Sequence, residues 1–334
     1  MAVKLVKPIN HKKVVKITNQ DFEAKMRELR VNSDIAVAVS GGPDSMSLLF
    51  LVNAFIKYKK GNLIALIVNH RIRKNSKDEA KYVSTYLAKN NINSQILTVD
   101  KDNVTKKSMN EARNNRYNSL TKFCIHNNIL HLFVAHHKDD NLETFLNRKI
   151  AGSDFYGLKS MSELLLYNKV SVIRPLLNFS KETLLNYNKK NKIEYINDPS
   201  NFNLEYTRPI IRNFLKKSDQ KTINEINKDF ENILFYSPYF IQMILEILLK
   251  NIVHVDSKQI VVSLHNIKKL NEITFENIIR RIYQFLFYQS NPPRSKKTRI
   301  LIREIKKLNF NIFNVKGMIV KKNDDFLTFS RKSV

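Results

Sequence analysis

The chain has 334 residues, of which 43% are hydrophobic, six are Gly and eight are Pro. This composition excludes collagen and low-complexity disorder, and the length exceeds one average domain of roughly 100–200 residues, so we expect two domains. Lys and Arg number 57 against 30 Asp and Glu, a net charge of +27. Such an excess predicts a polyanionic partner such as nucleic acid, with a merely solvated basic surface as the alternative.

Cysteine usage and apolar run lengths predict the compartment. Cys124 is the single cysteine, which excludes a disulfide framework, a four-cysteine metal site and a CxxC redox pair. Apolar stretches such as 239–249 are interrupted by Gln242 and Glu246 and fall short of the about 20 residues that a membrane helix needs. No apolar run follows the basic N-terminus. We therefore expect a cytoplasmic protein without a membrane partner.

Short apolar runs alternate with helical patterns from residue 31 to about 175. Buried strands are predicted at 35–39, 63–68, 95–99 and 129–135, and the helices between them at 45–57, 76–90 and 110–127. Repeats of strand, helix and strand at this length imply parallel pairing with right-handed crossovers. The predicted fold class is therefore α/β, a doubly wound parallel sheet.

The pattern changes after residue 173. A capped helix is predicted at 180–191 and a turn at 198–201, and nearly all of 210–289 has helical spacing, including 238–249 and 272–288. Short strands are predicted in the tail from 310 to 331. The predicted organisation is a basic N-terminal extension at 1–30, an α/β domain at 31–217 and a mainly helical domain at 218–334.

Basic residues cluster at two places in the second half of the chain. Arg294, Lys296, Lys297, Arg299, Arg303, Lys306 and Lys307 lie within 14 residues that contain only Glu304 as an acid. Arg208, Arg212 and Lys216 recur every four residues and would share one helix face. Clustering favours phosphate binding over a compositional bias toward Lys.

The segment Ser40-Gly41-Gly42-Pro43-Asp44-Ser45 lies between the first predicted strand and its helix. Paired glycines let a backbone approach a ligand closely, and the following helix presents unpaired N–H groups to an anion. The serine hydroxyls can add donors, and the carboxylate can hold a cation that bridges phosphates. The segment is neither a Walker A loop nor GxGxxG. A tight turn with helix caps is the alternative, but the position at the carboxyl edge of the sheet favours phosphate binding.

A second polar cluster, from His136 to Thr144, follows the strand predicted at 129–135. On a helix, Asp139 and Glu143 share one face, as do Asp140 and Thr144. Helix capping alone and a transition-metal hydrolase site are the alternatives to a role beside the glycine turn.

The two motifs carry a family resemblance. SGGPDS resembles the SGGxDS pyrophosphate loop of the N-type ATP pyrophosphatases, and HHKDDNLET resembles the HHxDDxxET motif of the tRNA(Ile)-lysidine synthetase family within that superfamily. Further matching segments are Glu111-Ala112-Arg113, Gly152-Ser153 with Gly157-Leu158, Arg174-Pro175-Leu176-Leu177, and Asp198-Pro199-Ser200-Asn201 with Tyr206, Arg208 and Arg212. The resemblance covers roughly residues 31–215.

The resemblance implies a reaction. ATP adenylates O2 of the wobble cytidine of a CAU-anticodon tRNA(Ile), pyrophosphate leaves, and free lysine attacks C2 to form lysidine with release of AMP. It implies an adenine-nucleotide α-hydrolase-like catalytic domain at 31–217, a tRNA-binding domain at 218–334 and a short form with one C-terminal domain. Monomer and homodimer both stay open.

Residue roles follow from the same resemblance. ATP would be bound by Ser40, Gly41, Gly42, Pro43, Asp44, Ser45 and His70. Mg²⁺ would be held by Asp44 and Asp139, or by Asp140 in its place. Catalytic roles fall to Asp44, Asp139, Asp140, Glu143 and Arg113, and tRNA binding to Arg208, Arg212, Arg294, Lys296, Lys297 and Arg299. Because lysine has a reference pKa of about 10.4, a carboxylate must accept its proton, and Asp140 or Glu143 is the candidate.

Four positions depart from the family pattern: Asn69, Arg71, Ala151 and Asp154. The nearest rival reading is a tRNA 2-thiolation enzyme, which would need catalytic cysteines. Synthetases of the GMP or asparagine type fit the glycine loop but not the basic C-terminal region. A non-catalytic RNA-binding module would not require the four acidic residues.

Overall fold

The computed structural model describes residues 17–332 except 30, 32–33, 58, 60, 70–75, 99–108, 197–206, 288–291 and 308. The chain divides into two compact units. The first unit comprises the chain up to Glu143 together with Met161–Ile210, and the second comprises Thr144–Ser160 together with the chain from Ile211 onward.

The first unit is built on a six-stranded sheet. Its strands are β1 (Ile35–Val39), β2 (Leu63–Asn69), β3 (Ser94–Thr98), β4 (His131–Phe133), β5 (Leu164–Tyr167) and β6 (Val170–Ile173). The order is β3-β2-β1-β4-β6-β5, and every neighbouring pair is parallel except the β5–β6 hairpin. The predicted doubly wound sheet is confirmed. The antiparallel edge hairpin was not predicted.

Helices cover this sheet. They are α1 (Asn19–Glu28), α2 (Pro43–Ile56), α3 (Ser76–Lys89), α4 (Met109–His126), the start of α5 (Lys138–Ile150) and α7 (Lys181–Lys190). Strand β1 is a run of β-branched and small residues because it is buried on both faces, with Ile35, Ala36 and Val37 fully inaccessible. It pairs with β2 on one side and β4 on the other, so its carboxyl end lies at the centre of the sheet edge.

The second unit combines helices with a five-stranded antiparallel sheet. Its helices are the rest of α5, α6 (Phe155–Leu158), most of α8 (Thr207–Lys217), α9 (Gln220–Asn251), α10 (Leu264–Ile267), α11 (Glu272–Leu286) and α12 (Ser295–Ile305). Its strands are β7 (Ile252–Val255), β8 (Gln259–Ser263), β9 (Ile312–Val315), β10 (Met318–Asn323) and β11 (Phe326–Arg331), in the order β7-β8-β11-β10-β9.

The helical prediction for 210–289 is wrong at β7 and β8. Two β-branched segments there flank a turn in which Asp256 Oδ1 accepts hydrogen bonds from the Lys258 and Gln259 amides. The β-branched residues therefore favour a hairpin that completes the sheet of the tail strands. Helix α9 contains the whole of the segment 238–249, with Pro238 in its interior.

The units differ in extent from the predicted domains. The predicted N-terminal extension at 1–30 contributes α1, whose Phe22 and Met26 are fully buried in the hydrophobic core of the first unit. Residues 144–160, predicted within the catalytic domain, belong to the second unit by their contacts. The reason is packing: the Phe145 ring lies 5.1 Å from that of Phe230, and the Phe155 ring 5.1 Å from that of Phe240.

Helix α9 is unusually apolar. Within the described part of the chain it alone is long and apolar enough to cross a membrane by length and composition, with a mean hydropathy of 1.4 over a window that is 17% buried. The expectation that every apolar stretch is shorter than a membrane helix is therefore wrong for α9. Phe230, Ile244 and Leu248 of this helix are buried in the second unit.

A buried ion network connects α6, α11 and α12. Glu276, 1% exposed, accepts from Arg280 Nη2 at 2.8 Å and from Arg299 Nε at 3.3 Å. Arg280 also lies 3.7 Å from Asp154 Oδ2 and donates to Ser295 Oγ at 2.7 Å. Removing one partner of such a network leaves uncompensated buried charge.

We expect Glu276→Ala to lower the free energy of unfolding of the second unit by about 3–5 kcal/mol, measured by urea denaturation. The matched control is Glu304→Ala on α12. Its ion pair with Lys307 at 2.7 Å is largely exposed, so its loss should cost under about 1 kcal/mol. Equal losses for the two variants would contradict the structural role of Glu276.

Candidate active site

The glycine-rich segment forms the turn from β1 into α2. Gly41 has a φ of +82°, a left-handed conformation that L side chains rarely adopt, and a Cβ built there would lie 2.8 Å from Val83 Cγ2. Gly42 is the N-cap of α2 in an extended conformation, and Pro43 occupies the first helical position. The turn thus exposes backbone at the positive end of a 14-residue helix.

The two serines of the turn hold its shape. Ser45 Oγ donates to the Gly42 carbonyl at 3.0 Å and accepts from the Ser40 amide at 3.2 Å. The Gly42 amide approaches Ser40 Oγ at 3.4 Å. These hydroxyls therefore organise the turn.

Three carboxylates surround His137, which is 2% exposed. Its Nε2 lies 3.6 Å from Asp44 Oδ2 and 3.4 Å from Asp140 Oδ2, and its Nδ1 lies 3.4 Å from Asp139 Oδ2. Burial alone would lower the pKa of His137, but Asp139, Asp44 and Asp140 raise it to about 10. The ring therefore gathers the acidic residues of both motifs.

Asp139 and Asp140 also cap helices. Asp139 Oδ2 accepts the Lys181 amide at 2.8 Å at the start of α7, and Asp140 Oδ2 accepts the His137 amide at 3.2 Å before α5. Burial raises the pKa of Asp139, but His137 and the Lys181 amide outweigh it and hold the pKa below its usual value. Helix capping, the alternative considered for this motif, is therefore a role of both residues, whether or not they also take part in catalysis. Glu143 lies one turn further along α5 and is 3% exposed.

Asp44 is the residue that best fits a cation. Its Oδ1 is buried and has no hydrogen-bond partner. No group of three or more His, Cys, Asp or Glu side chains is arranged as a metal cage in the described ranges. Mg²⁺ ordinarily takes one or two carboxylates and completes its shell with phosphates and waters, so one orphaned oxygen beside the turn fits that ion.

A cavity of about 550 Å³ lies beside the turn. It is lined by the ends of β1, β2 and β4 and by α3 and α4. Its polar side chains are those of Ser40, Asp44, Ser45, Ser76, Glu79, Arg113, Arg116, Tyr117 and His136. The guanidinium of Arg113 lies 5.2 Å from the centre of the Tyr117 ring. The volume suits a nucleotide-sized ligand. His70, predicted to contact ATP, and Arg71 lie outside the described residues.

Sequence reasoning gave no individual role to three side chains near this cavity: Lys181, His136 and Arg174. Lys181 Nζ lies 3.9 Å from Asp44 Oδ2. The buried Arg174 donates from Nε to His136 Nδ1 at 3.3 Å. The sequence indicated this arginine only as part of the family-like segment Arg174-Pro175-Leu176-Leu177, which implied no role for it.

Two of the three described departures from the family pattern have local hydrogen-bonding roles. Asn69, at the end of β2, is buried and accepts from Ser76 Oγ at 3.0 Å at the start of α3. Asp154 is the N-cap of α6, with its Oδ1 accepting the Gly157 amide at 2.8 Å. Ala151 is exposed in the turn after α5.

The basic cluster of the second unit lies on α12. Thr298, Leu301, Ile302 and Ile305 are buried on one side of this helix, whereas Arg294, Lys296, Lys297, Arg303, Lys306 and Lys307 are exposed. Arg299 is half-exposed and is engaged with Glu276. On α8, Arg212 is half-buried. The side chain of Arg208 is not among those that the structure describes.

A parallel sheet with a glycine turn and convergent carboxylates at its carboxyl edge defines an α/β nucleotide-binding class. The chain matches the PP-loop domain over residues 11–218 and belongs to that family. It is 43% identical over 194 residues to a tRNA(Ile)-lysidine synthase of Wolbachia pipientis wMel, covering 58% of this chain and 45% of the relative. It is 36% identical over 211 residues to one from Rickettsia prowazekii strain Madrid E, covering 62% and 49%. The matched stretch therefore spans about half the length of these relatives.

Among solved structures, a U34-tRNA thiolase from Methanococcus maripaludis with its [4Fe-4S] cluster superimposes with a TM-score of 0.52. It is 23% identical and the match covers 65% of this chain and 80% of the thiolase, so the likeness concerns the fold.

Cys124 is fully buried in α4, and burial raises its pKa to about 12. We expect it to resist iodoacetamide at pH 8 in the native protein and to react once the chain is denatured, because the thiolate is the reactive form. Mass spectrometry of both states measures this. Rapid alkylation of the native protein would contradict this expectation and would favour the alternative of a tRNA 2-thiolation enzyme.

Proposed function

We propose that this protein uses ATP to join free lysine to C2 of the wobble cytidine in a tRNA(Ile) with a CAU anticodon. The observation that carries the proposal is the meeting of the glycine turn with Asp44, Asp139 and Asp140 around His137 at one sheet edge. The relatives named tRNA(Ile)-lysidine synthase and the match to the PP-loop domain support it. Cytoplasmic localisation belongs to the same proposal.

The chain's own residues would divide the work. The backbone of Gly41 and Gly42 and the hydroxyls of Ser40 and Ser45 bind phosphate oxygens, with the dipole of α2 favouring the negative charge. Asp44 would hold Mg²⁺, which supplies charge stabilisation on the departing pyrophosphate when bound.

Acidic residues on α5 would handle the lysine. Asp140 and Glu143 lie one helical turn apart on α5. A carboxylate there can bind the lysine ammonium and accept its proton before attack. Arg113, at the wall of the cavity, would bind the adenylate phosphate.

The proposal is tested by incubating the protein with ATP, Mg²⁺, radiolabelled lysine and unmodified CAU-anticodon tRNA(Ile). We expect label in the RNA and release of AMP. A Ser45→Ala, Asp44→Ala double variant is the blank, and CAU-anticodon tRNA(Met) tests discrimination. Incorporation no higher than that of the blank would refute ligase activity. Binding of tRNA without any nucleotide turnover would favour the RNA-binding module.

The basic side of α12 would bind the tRNA backbone. Because Arg299 is engaged with Glu276, we choose Arg294→Ala with Lys296→Ala, whose side chains are exposed. This variant should bind tRNA more weakly and lower the slope of log K against log salt by about 1.4 to 1.8, as expected for two lost phosphate contacts. The control is Lys258→Ala with Lys332→Ala in the same unit. A slope unchanged from wild type would exclude α12 from the tRNA interface.

A further inference from the structure

Lys181 is the first residue of α7 and lies beside the glycine turn. Its Nζ is 3.9 Å from Asp44 Oδ2, and its side chain is 41% exposed. An ion pair this long and this open to water contributes little to stability. The other oxygen of the same carboxylate, Asp44 Oδ1, is the buried one without a hydrogen-bond partner. The ammonium of Lys181 therefore lies next to the residue that best fits a cation.

A lysine at this position is unfavourable for the helix that carries it. The first turn of a helix is the positive end of its dipole, so a cation there is destabilising. The favourable place for basic residues is the last turn, where Lys189 and Lys190 lie. Neither the weak ion pair with Asp44 nor the helix accounts for a cation at the start of α7, which indicates that it serves a ligand.

The backbone at the start of α7 is held against α5. The Lys181 amide donates to Asp139 Oδ2 at 2.8 Å. The Lys138 amide, at the start of α5, donates to the Phe179 carbonyl at 2.9 Å. Two hydrogen bonds thus join the first residues of the two helices.

Buried hydrogen bonds also join α7 to the glycine turn and to α2. Asn188 is fully inaccessible, and its Nδ2 donates to the Pro43 carbonyl at 2.9 Å. Its Oδ1 accepts from Ser47 Oγ at 2.8 Å. Beyond the end of α7, the Ile196 amide donates to the Gly41 carbonyl at 2.8 Å. The start of α7 is therefore fixed relative to the turn, and the lysine at that start moves through its flexible side chain.

We propose that Lys181 binds the β- and γ-phosphates of ATP, the part that leaves as pyrophosphate. Asp44 lines the nucleotide-sized cavity, whereas Lys181 lies outside it. With the nucleoside in the cavity and the phosphates along the glycine turn, the terminal phosphates lie past Asp44, on the side of Lys181. The long stem lets the ammonium turn from the carboxylate to phosphate oxygens, which a lysine pairs with as a point charge. The inference deepens the proposed function and rests on it.

The test compares ATP with AMP, which lacks the β- and γ-phosphates. Lys181→Met keeps an unbranched stem and removes the charge. By isothermal titration calorimetry in the presence of Mg²⁺, its affinity for ATP should fall about tenfold, the value of one charge-assisted hydrogen bond. Its affinity for AMP should stay within about twofold of wild type. Equal losses for both nucleotides, or no loss for either, would overturn the inference.

Two further variants and a stability measurement separate charge from structure. Lys181→Arg retains a cation and should bind ATP within about threefold of wild type. If it were as weak as Lys181→Met, the charge would not be the cause. Lys190→Met removes an exposed lysine from the other end of α7 and should leave both affinities unchanged. The urea midpoint of Lys181→Met should not fall, because the helix loses a cation from its positive end.

The outcomes distinguish this inference from the proposed function. A wild type that binds no ATP overturns both. ATP binding with the expected selective loss in Lys181→Met, but no label in tRNA, leaves the inference standing and refutes only the ligase. Lysidine synthesis by a wild type whose Lys181→Met variant binds ATP normally refutes the inference alone.

Discussion

Replacing Gly41 with alanine is expected to weaken ATP binding by about 100-fold. Two effects combine: the residue has a φ of +82°, and the new Cβ would lie 2.8 Å from Val83 Cγ2. Val83 is buried in α3 and cannot simply swing away, so the turn must move. A displacement of about 1 Å in a binding loop can cost that factor.

Gly152→Ala is the matched control for this prediction. Gly152 also has a left-handed φ, of +66°, but a Cβ added there would meet no atom within 4 Å. It should show the conformational cost of about 1–2 kcal/mol in stability without loss of ATP affinity. Isothermal titration calorimetry with ATP measures the affinity of both variants. If Gly41→Ala bound ATP as tightly as Gly152→Ala, the turn would not be the phosphate site.

Asp44→Asn is expected to reduce kcat/KM for AMP release by about 10²–10³-fold while leaving the fold intact. The buried, unpartnered Oδ1 of Asp44 is the oxygen that would meet Mg²⁺, and an amide is a much weaker ligand for that ion. The substitution also removes one of the carboxylates that raise the pKa of His137, which should move that pKa downward.

The control for Asp44→Asn lies at the other end of the same strand. Asp34 precedes β1 and its Oδ1 accepts the Asn62 amide at 2.8 Å, far from the carboxyl edge. Asp34→Asn keeps an acceptor there and should leave kcat/KM within about twofold. Measuring the activity of Asp44→Asn at increasing Mg²⁺ concentrations is a second test, because a weakened metal site should need more Mg²⁺. A wild-type magnesium dependence in this variant would remove Asp44 from the metal site.

Local signals in the sequence determined strands β1 to β4 of the first sheet and the two site motifs. The β-branched run of β1, the helical spacing of α2 and the paired glycines between them are short-range features, so the strand, turn and helix were predictable to within about two residues. Since parallel strands place their carboxyl ends at one edge, the meeting of the Asp44 turn with the segment from His136 was predictable as well.

Only the tertiary structure decided how those side chains are used. Nothing local says that Asp44 would approach His137, that Asp139 would cap α7, or that Arg174 would donate to His136, because each depends on a partner that is distant in the chain. The same holds for residues 144–160, whose phenylalanines are buried by α9, and for the hairpin of β7 and β8, which the tail strands complete. Burial and long-range hydrogen bonds, rather than residue type, assign these roles.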